Sequence, residues 1–263
     1  MENAKHFGVL IAGDELLSGK RTDRHLPHVI ATLQARGMRV AWSRVVSDHR
    51  KRLVHELKLT RLDAAPVFCF GGIGATPDDQ TRQAAAEAFG RPLVRNLEAV
   101  AMIKDRFGDA ACPNRIRMAD LPAGCVLIPN PDCRIPGFSL CGHHFFPGFP
   151  SLAWPMLEWV LDHYYPHAMP LEVEKSVRVF DVSESGLIPL MNRLSAGHTG
   201  AALFSLPHIA AMNSIELGFR GERAAVEDAF TDLVNALTRR GLRFESLFAG
   251  EGETTNAFRQ IVV

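Results

Sequence analysis

Several of the features that most readily place a protein in a class are missing from this 263-residue chain. No uninterrupted apolar run approaches the roughly 18 residues that a membrane-spanning helix requires, so no membrane partner is expected. Neither sign of charge dominates: 29 Lys+Arg face 29 Asp+Glu. That balance removes any global electrostatic reason to expect nucleic acid or an acidic membrane. The five cysteines (Cys69, Cys112, Cys125, Cys133, Cys141) are odd in number and show no CxxC spacing. With no signal-like N-terminus, a reduced, cytoplasmic protein is the expectation. The GxGxxG of dinucleotide-binding folds, the P-loop Lys-Ser/Thr ending and the GxSxG nucleophile elbow are also lacking, which argues against those three chemistries.

What is present is a 47% hydrophobic composition, enough for one large domain or a main domain with a small one. His6 to Ala12 reads as a buried strand, Asp23 to Gly37 as a helix with Leu26, Val29, Ile30 and Leu33 on one face, and Met38 to Val46 as a second strand. Arg50 to Leu62 is then helical, Val67 to Phe70 is a third strand, and Asp78 to Phe89 is a helix closed by Gly90. Alternation at these lengths implies right-handed crossovers and a mostly parallel sheet covered on both faces. In such sheets, ligands sit at the carboxyl ends of the strands.

Those ends carry the most informative residues. The run GGIGATPDDQT, Gly71 to Thr81, places glycines between a strand and a helix start. Glycine permits a tight turn and close ligand approach, and a helix N-terminus offers unpaired N–H groups and partial positive charge, so an anion fits there. Thr76 is expected to cap the helix, with Pro77 in its first turn and Asp79 at capping-box spacing. Asp78 and Asp79 could serve only to complement the helix dipole. Beside a phosphate, however, two carboxylates would repel it unless a divalent cation such as Mg²⁺ lay between. Acidic residues also mark the two preceding strand ends, in Gly13-Asp14-Glu15-Leu16-Leu17-Ser18-Gly19 and in Ser47-Asp48-His49. Together the three loops describe one pocket with several oxygen ligands.

Beyond Gly90, a helix is expected over Leu97 to Phe107, short strands and fixed turns from Pro113 to Pro150, and a helix from Ser151. Pro166 and Pro170 bracket a linker, giving domains at 1–166 and 167–263. The second reads as a small α+β module of split βαβ order: strand Glu172 to Val182, helix Ser185 to Leu194, strands Ala201 to Leu206 and Ser214 to Phe219, helix Glu222 to Arg240, strand Leu242 to Phe248. It has neither a basic bias nor an aromatic sheet signature for RNA. Cys133, Cys141, His143 and His144 have zinc-ligand chemistry without the short paired spacing of structural zinc sites.

GDELLSGKRTDRH, the VSD segment, GGIGATPDDQTRQAAA, MADLPAGCVLIPNP, IPGF and PGFP together resemble the molybdopterin-binding domain family, in the branch of competence/damage-inducible proteins (CinA). The motifs span about residues 5 to 160. The resemblance implies a three-layer αβα domain and a pterin or nucleotide-pyrophosphate ligand held with a divalent cation over the strand ends, hydrolysed at the pyrophosphate (ADP-ribose or FAD type). A non-catalytic molybdopterin carrier or sensor and a molybdopterin adenylyltransferase are the alternatives. It places Asp48 and Asp79 as metal-holding, catalytic acids. Gly71, Gly72, Gly74 and Thr81 match the phosphate and pterin loop, with Thr76, Asp78 and the Pro147-Gly148 turn beside it; Gly13, Asp14, Glu15, Ser18, Gly19 and Asp23 form the first binding loop. His25 stands where many relatives carry Asn, Ala75 where many have Pro, and His49 where a second acid is common. Longer members continue into a C-terminal amidase domain, whose activity is not expected here. A homo-oligomer is implied.

Overall fold

The computed structural model describes residues 6–166, 173–208 and 214–247. The chain divides into two compact units, Met1–Met169 and Pro170–Val263. In the first, the order is β1 (His6–Ala12), α1 (Asp14–Leu17), α2 (His25–Ala35), β2 (Arg39–Val46), α3 (Arg50–Thr60), β3 (Val67–Phe70), α4 (Thr81–Ala88), β4 (Leu93–Arg95), α5 (Leu97–Phe107), β5 (Asp120–Pro122), β6 (Val126–Ile128), β7 (Gly137–Leu140), β8 (His143–Phe146) and α6 (Pro150–Tyr164).

Six strands form the main sheet in the order β2-β1-β3-β8-β7-β6. β2, β1, β3 and β8 run parallel, while β7 and β6 are antiparallel additions at one edge. The central strands are apolar along their whole length because both faces are covered, and alternation decides which layer each side chain enters. Leu10, Val67, Cys69 and Phe145 pack against α3, α4 and α5 through Leu53, Leu57, Ala84, Ala85, Ala99 and Ile103. Their neighbours Val9, Ile11, Phe68, Phe70 and Phe146 pack against α2 and α6 through Val29, Leu33, Met156, Leu157 and Val160. This is a three-layer αβα domain with a mostly parallel sheet, as the sequence pattern leads one to expect.

The second unit runs β9 (Val173–Phe180), α7 (Glu184–Gly197), β10 (Ala201–His208), β11 (Ser214–Gly221), α8 (Arg223–Arg239) and β12 (Phe244–Leu247). Its strands pair antiparallel in the order β10-β11-β9-β12, the split βαβ arrangement, over a core built from α7 and α8. Glu172 and Phe248, at the ends of expected strands, and Pro170 of the expected linker lie outside the described residues.

His143 and His144, the imidazoles of the zinc reading, are enclosed in β8. His143 pairs through Nε2 with the Thr60 hydroxyl at 2.9 Å and through Nδ1 with the Cys141 carbonyl at 3.1 Å. His144 is held by Ser139 Oγ at 2.8 Å and Tyr165 OH at 2.9 Å. Burial pulls His143 from 6.5 down to about 4 and His144 to about 3. Both native values lie below the unfolded one, so on acidification the unfolded chain takes up protons first and stability falls as pH drops through about 6.5. Moving from about pH 7 to about pH 4.5 should therefore cost roughly 3–5 kcal/mol of unfolding free energy from this pair, at about 1.36 kcal/mol per unit. Denaturant titrations at both pH values should show that loss, and a His143→Gln/His144→Gln variant should show a shallower pH slope whatever its absolute stability.

Candidate functional site

Four parallel strands deliver their carboxyl ends to one edge of the sheet, and the loops that leave them are fixed by close backbone contacts. Gly71, at φ 100°, follows β3; a Cβ there would lie 2.3 Å from the Ala12 carbonyl oxygen. Only glycine lets the ends of β1 and β3 approach so closely. Gly72, at φ 69°, would place a Cβ 2.3 Å from Thr81 Oγ1. That contact exists because Thr81 folds back: its hydroxyl donates to the Gly71 carbonyl at 2.9 Å and its N–H to the Gly72 carbonyl at 2.9 Å. The loop is closed on the other side by Arg82. Its guanidinium, on a buried residue, donates to the carbonyls of Gly74 at 2.6 Å, Asp120 at 3.0 Å and Arg117.

The expected helix start needs correcting. α4 begins at Thr81 rather than Asp78, and Thr76 does not cap it. Residues 76–79 instead close a turn, with Asp79 N–H donating to the Thr76 carbonyl at 3.1 Å. Pro77, compatible with a first helical turn, is equally suited to the second position of such a turn. One half of the expected capping-box pairing nevertheless forms within this turn: the Asp79 carboxylate accepts the Thr76 N–H at 2.9 Å, and it also accepts the Thr76 hydroxyl. Asp79 thus braces its own loop, and Asp78, exposed at the turn's tip, also accepts a hydrogen bond from the Thr76 side chain, which lowers its carboxyl below the ordinary value.

Asp48, after β2, is half-buried and accepts a hydrogen bond from the Asp14 N–H. Desolvation, the charges of Asp14 and Asp78, and that of Glu15 raise its carboxyl above the ordinary value. The structure therefore brings Asp48, Asp14, Glu15 and Asp78 into one electrostatic neighbourhood, and the loop carboxylate acting on Asp48 is that of Asp78, not Asp79. Gly13 N–H donates to the Val46 carbonyl at 3.1 Å, which ties this first loop to the end of β2. The loop is partly helical: Asp14–Leu17 form α1, and Ser18 and Gly19 follow it on the surface.

Asp23, expected to bind ligand, holds the start of α2 by accepting the N–H groups of His25 at 2.9 Å and Leu26 at 3.0 Å. His25 stacks on Phe70 with centroids 4.4 Å apart, and its Nε2 donates to the Gly148 carbonyl at 3.1 Å. Burial lowers its pKa from 6.5. Gly148 in turn would place a Cβ only 3.5 Å from Gly71 Cα, so the turn of Pro147 and Gly148 abuts the glycine loop. A cleft of about 400 Å³ lies here, lined among others by Ile11, Leu16, Arg21, Arg24, His25 and Gly148.

A family model described as a probable molybdopterin binding domain matches residues 8–167, taking in all of these loops. The chain belongs to the molybdopterin-binding domain family. A CinA-like protein of Geotalea uraniireducens is 28% identical over 266 residues, covering 94% of this chain and 61% of that protein. Another, of Geobacter metallireducens, is 31% identical over 266 residues, covering 94% and 62%. The crystal structure of CinA from Thermoplasma acidophilum, a protein of unknown function, aligns with a TM-score of 0.55 at 30% identity over 60% of this chain and 96% of that one. This molybdopterin-binding domain protein thus spans about 61% of the length of the first of these relatives.

Two contributors escaped the sequence reading. Arg82 could have been found as the only charge between the glycine loop and the buried alanines of TRQAAAEA; His25 was visible only as a departure from the family pattern. Arg82→Ala should leave the Gly74, Asp120 and Arg117 carbonyls without their donor and cost about 2 kcal/mol or more. Arg82→Lys should recover little of it, since an ammonium cannot reproduce the planar fork. Equilibrium denaturation of the three proteins measures both expectations.

Proposed function

We propose that this domain binds a pterin or a nucleotide carrying a pyrophosphate, together with a divalent cation such as Mg²⁺, and that it cleaves the pyrophosphate of an ADP-ribose- or FAD-type ligand. The observation that supports this most is the raised carboxyl of Asp48, set among Asp14, Glu15 and Asp78 beside a glycine loop suited to an anion. Carboxylates held together by the fold, and opposing one another, fit a site that receives a cation along with its phosphate. The donor chemistry also fits: Mg²⁺ is commonly held by one or two carboxylates plus substrate phosphates rather than by a complete protein cage. Among the described residues no three His, Cys, Asp or Glu side chains are grouped to hold a metal by themselves.

In this reading Asp48 and Asp78 hold the cation, with Asp78 taking the role the family resemblance suggested for Asp79. Asp79 keeps the loop closed through Thr76. Gly71, Gly72 and Gly74 with Thr81 shape the phosphate cradle, and the start of α4 directs its partial positive charge toward it. A bound divalent cation supplies charge neutralisation at the phosphoryl oxygens. The second reading is a carrier or sensor that binds this ligand without turnover.

Asp48→Asn separates these ideas. A raised carboxyl pKa means the native state binds protons more readily than the unfolded chain, so its ionisation opposes folding at neutral pH. The variant should therefore melt at a higher temperature than wild type without metal, lose the stabilisation that Mg²⁺ with ADP-ribose gives wild type, and hydrolyse ADP-ribose or FAD at least roughly tenfold more slowly. Binding of ADP-ribose or FAD by wild type with no turnover under Mg²⁺ or Mn²⁺ would select the carrier; unchanged metal response in Asp48→Asn would reject this site.

A further inference from the structure

His25 has one ring nitrogen in use and one without a partner. The Gly148 carbonyl can only accept, so Nε2 carries the hydrogen of the neutral imidazole, and Nδ1 presents a bare lone pair. The residue is only 5% exposed, and Nδ1 is a buried atom with no hydrogen-bond partner. A buried acceptor left unsatisfied is costly, and native structures seldom keep one without a use. The ring borders the 400 Å³ cleft, a volume within the usual range for small-molecule sites. The cleft is lined by the apolar Ile11, Leu16 and Phe70 and by charged side chains of both signs, Glu15 and Asp23 beside the exposed Arg21 and Arg24. Apolar side chains, polar groups of both signs and a single buried acceptor describe a site for a flat or sugar ring whose phosphates rest at the neighbouring glycine loop.

We propose that this cleft is a subsite for the ring portion of the phosphorylated ligand, and that His25 selects that ring by accepting, at Nδ1, a hydrogen bond from its N–H or O–H donor. The inference rests on the function proposed above, since the neighbouring glycine loop must hold the ligand's phosphates. Gly148 links the two halves: its carbonyl fixes the His25 ring, and its Cα faces the Gly71 backbone. His25 lines the cleft and stacks on Phe70, so a tilt of the imidazole on that ring would bring Nδ1 to an entering ligand. His25 is thereby a specificity residue.

Three measurements test this, using Mg²⁺ with inorganic pyrophosphate, ribose 5-phosphate, AMP, ADP-ribose and pterin-6-carboxylate as probes. In the free wild-type protein, long-range ¹H–¹⁵N spectra of the imidazole should show Nδ1 as a non-hydrogen-bonded, unprotonated nitrogen, and a ring-bearing probe should shift it while pyrophosphate does not. A shift with ribose 5-phosphate identifies a sugar hydroxyl as the donor, and one with AMP or the pterin alone a ring N–H. His25→Phe keeps the stacked ring and should weaken the shifting probe roughly tenfold, leave pyrophosphate affinity in place, and be partly rescued by His25→Gln. The inference is overturned if Nδ1 is already hydrogen-bonded in the free protein, if no probe moves it, or if His25→Phe weakens pyrophosphate as much as the ring-bearing probe. Pyrophosphate binding without any gain for ring-bearing probes overturns this inference alone, whereas failure of every probe to bind wild type overturns the function proposed above as well.

Discussion

The site depends on a single buried guanidinium. Arg82 ties the Gly74 carbonyl of the glycine loop to the carbonyls of Arg117, which precedes β5, and of Asp120, the first residue of β5. A loop with glycines at positive φ has many conformations open to it, so something must select one. Arg82 does so from inside the protein, and Thr81 does so from the helix start by bonding both Gly71 and Gly72 carbonyls. With the backbone pinned at both ends, the Asp79 carboxylate closes the intervening turn on Thr76, and Asp78 is carried outward toward Asp48. The carboxylate neighbourhood is therefore a consequence of how the loop's backbone polar groups are satisfied.

Much of this was legible in the residues, for identifiable reasons. The apolar runs of β1 and β3 announce strands buried on both faces, because only a sheet covered by helices can bury Val9 and Leu10, or Phe68 and Cys69, on opposite sides. The glycine loop and the acids at three strand ends were readable too, since a parallel sheet puts all those ends on one edge. The start of α4 was not. Thr-Pro-Asp-Asp satisfies the rules for a helix cap and for a Pro-containing turn equally well, and tertiary bonds from Thr81 and Arg82 decide between them. For the same reason Asp78 and Asp79 could not be told apart: adjacent residues with identical side chains differ only in where the turn directs them. Asp23, read as a ligand contact, lines the cleft and in addition accepts the His25 and Leu26 N–H groups at the α2 start, a second role set by its spacing from them. The exposure of Nδ1 to no partner in His25 depends on Gly148, 123 positions away in sequence, and no local pattern reports it.

Asp14, Asp78 and Glu15 act on Asp48 at the end of β2, and Glu15 also lines the cleft that holds Arg21, Asp23 and Arg24. Mutual repulsion among carboxylates lowers stability, and a raised Asp48 carboxyl is the sign that the fold bears that cost. Such a cost persists in proteins when the strained groups are used. The acids around Asp48 suit a cation, the glycine loop suits a phosphate, and the cleft beside them offers apolar side chains and polar groups of both signs. A ligand carrying phosphates beside a polar ring matches that combination. A simple inorganic anion would leave the apolar Ile11 and Phe70, and the His25 lone pair, without a counterpart.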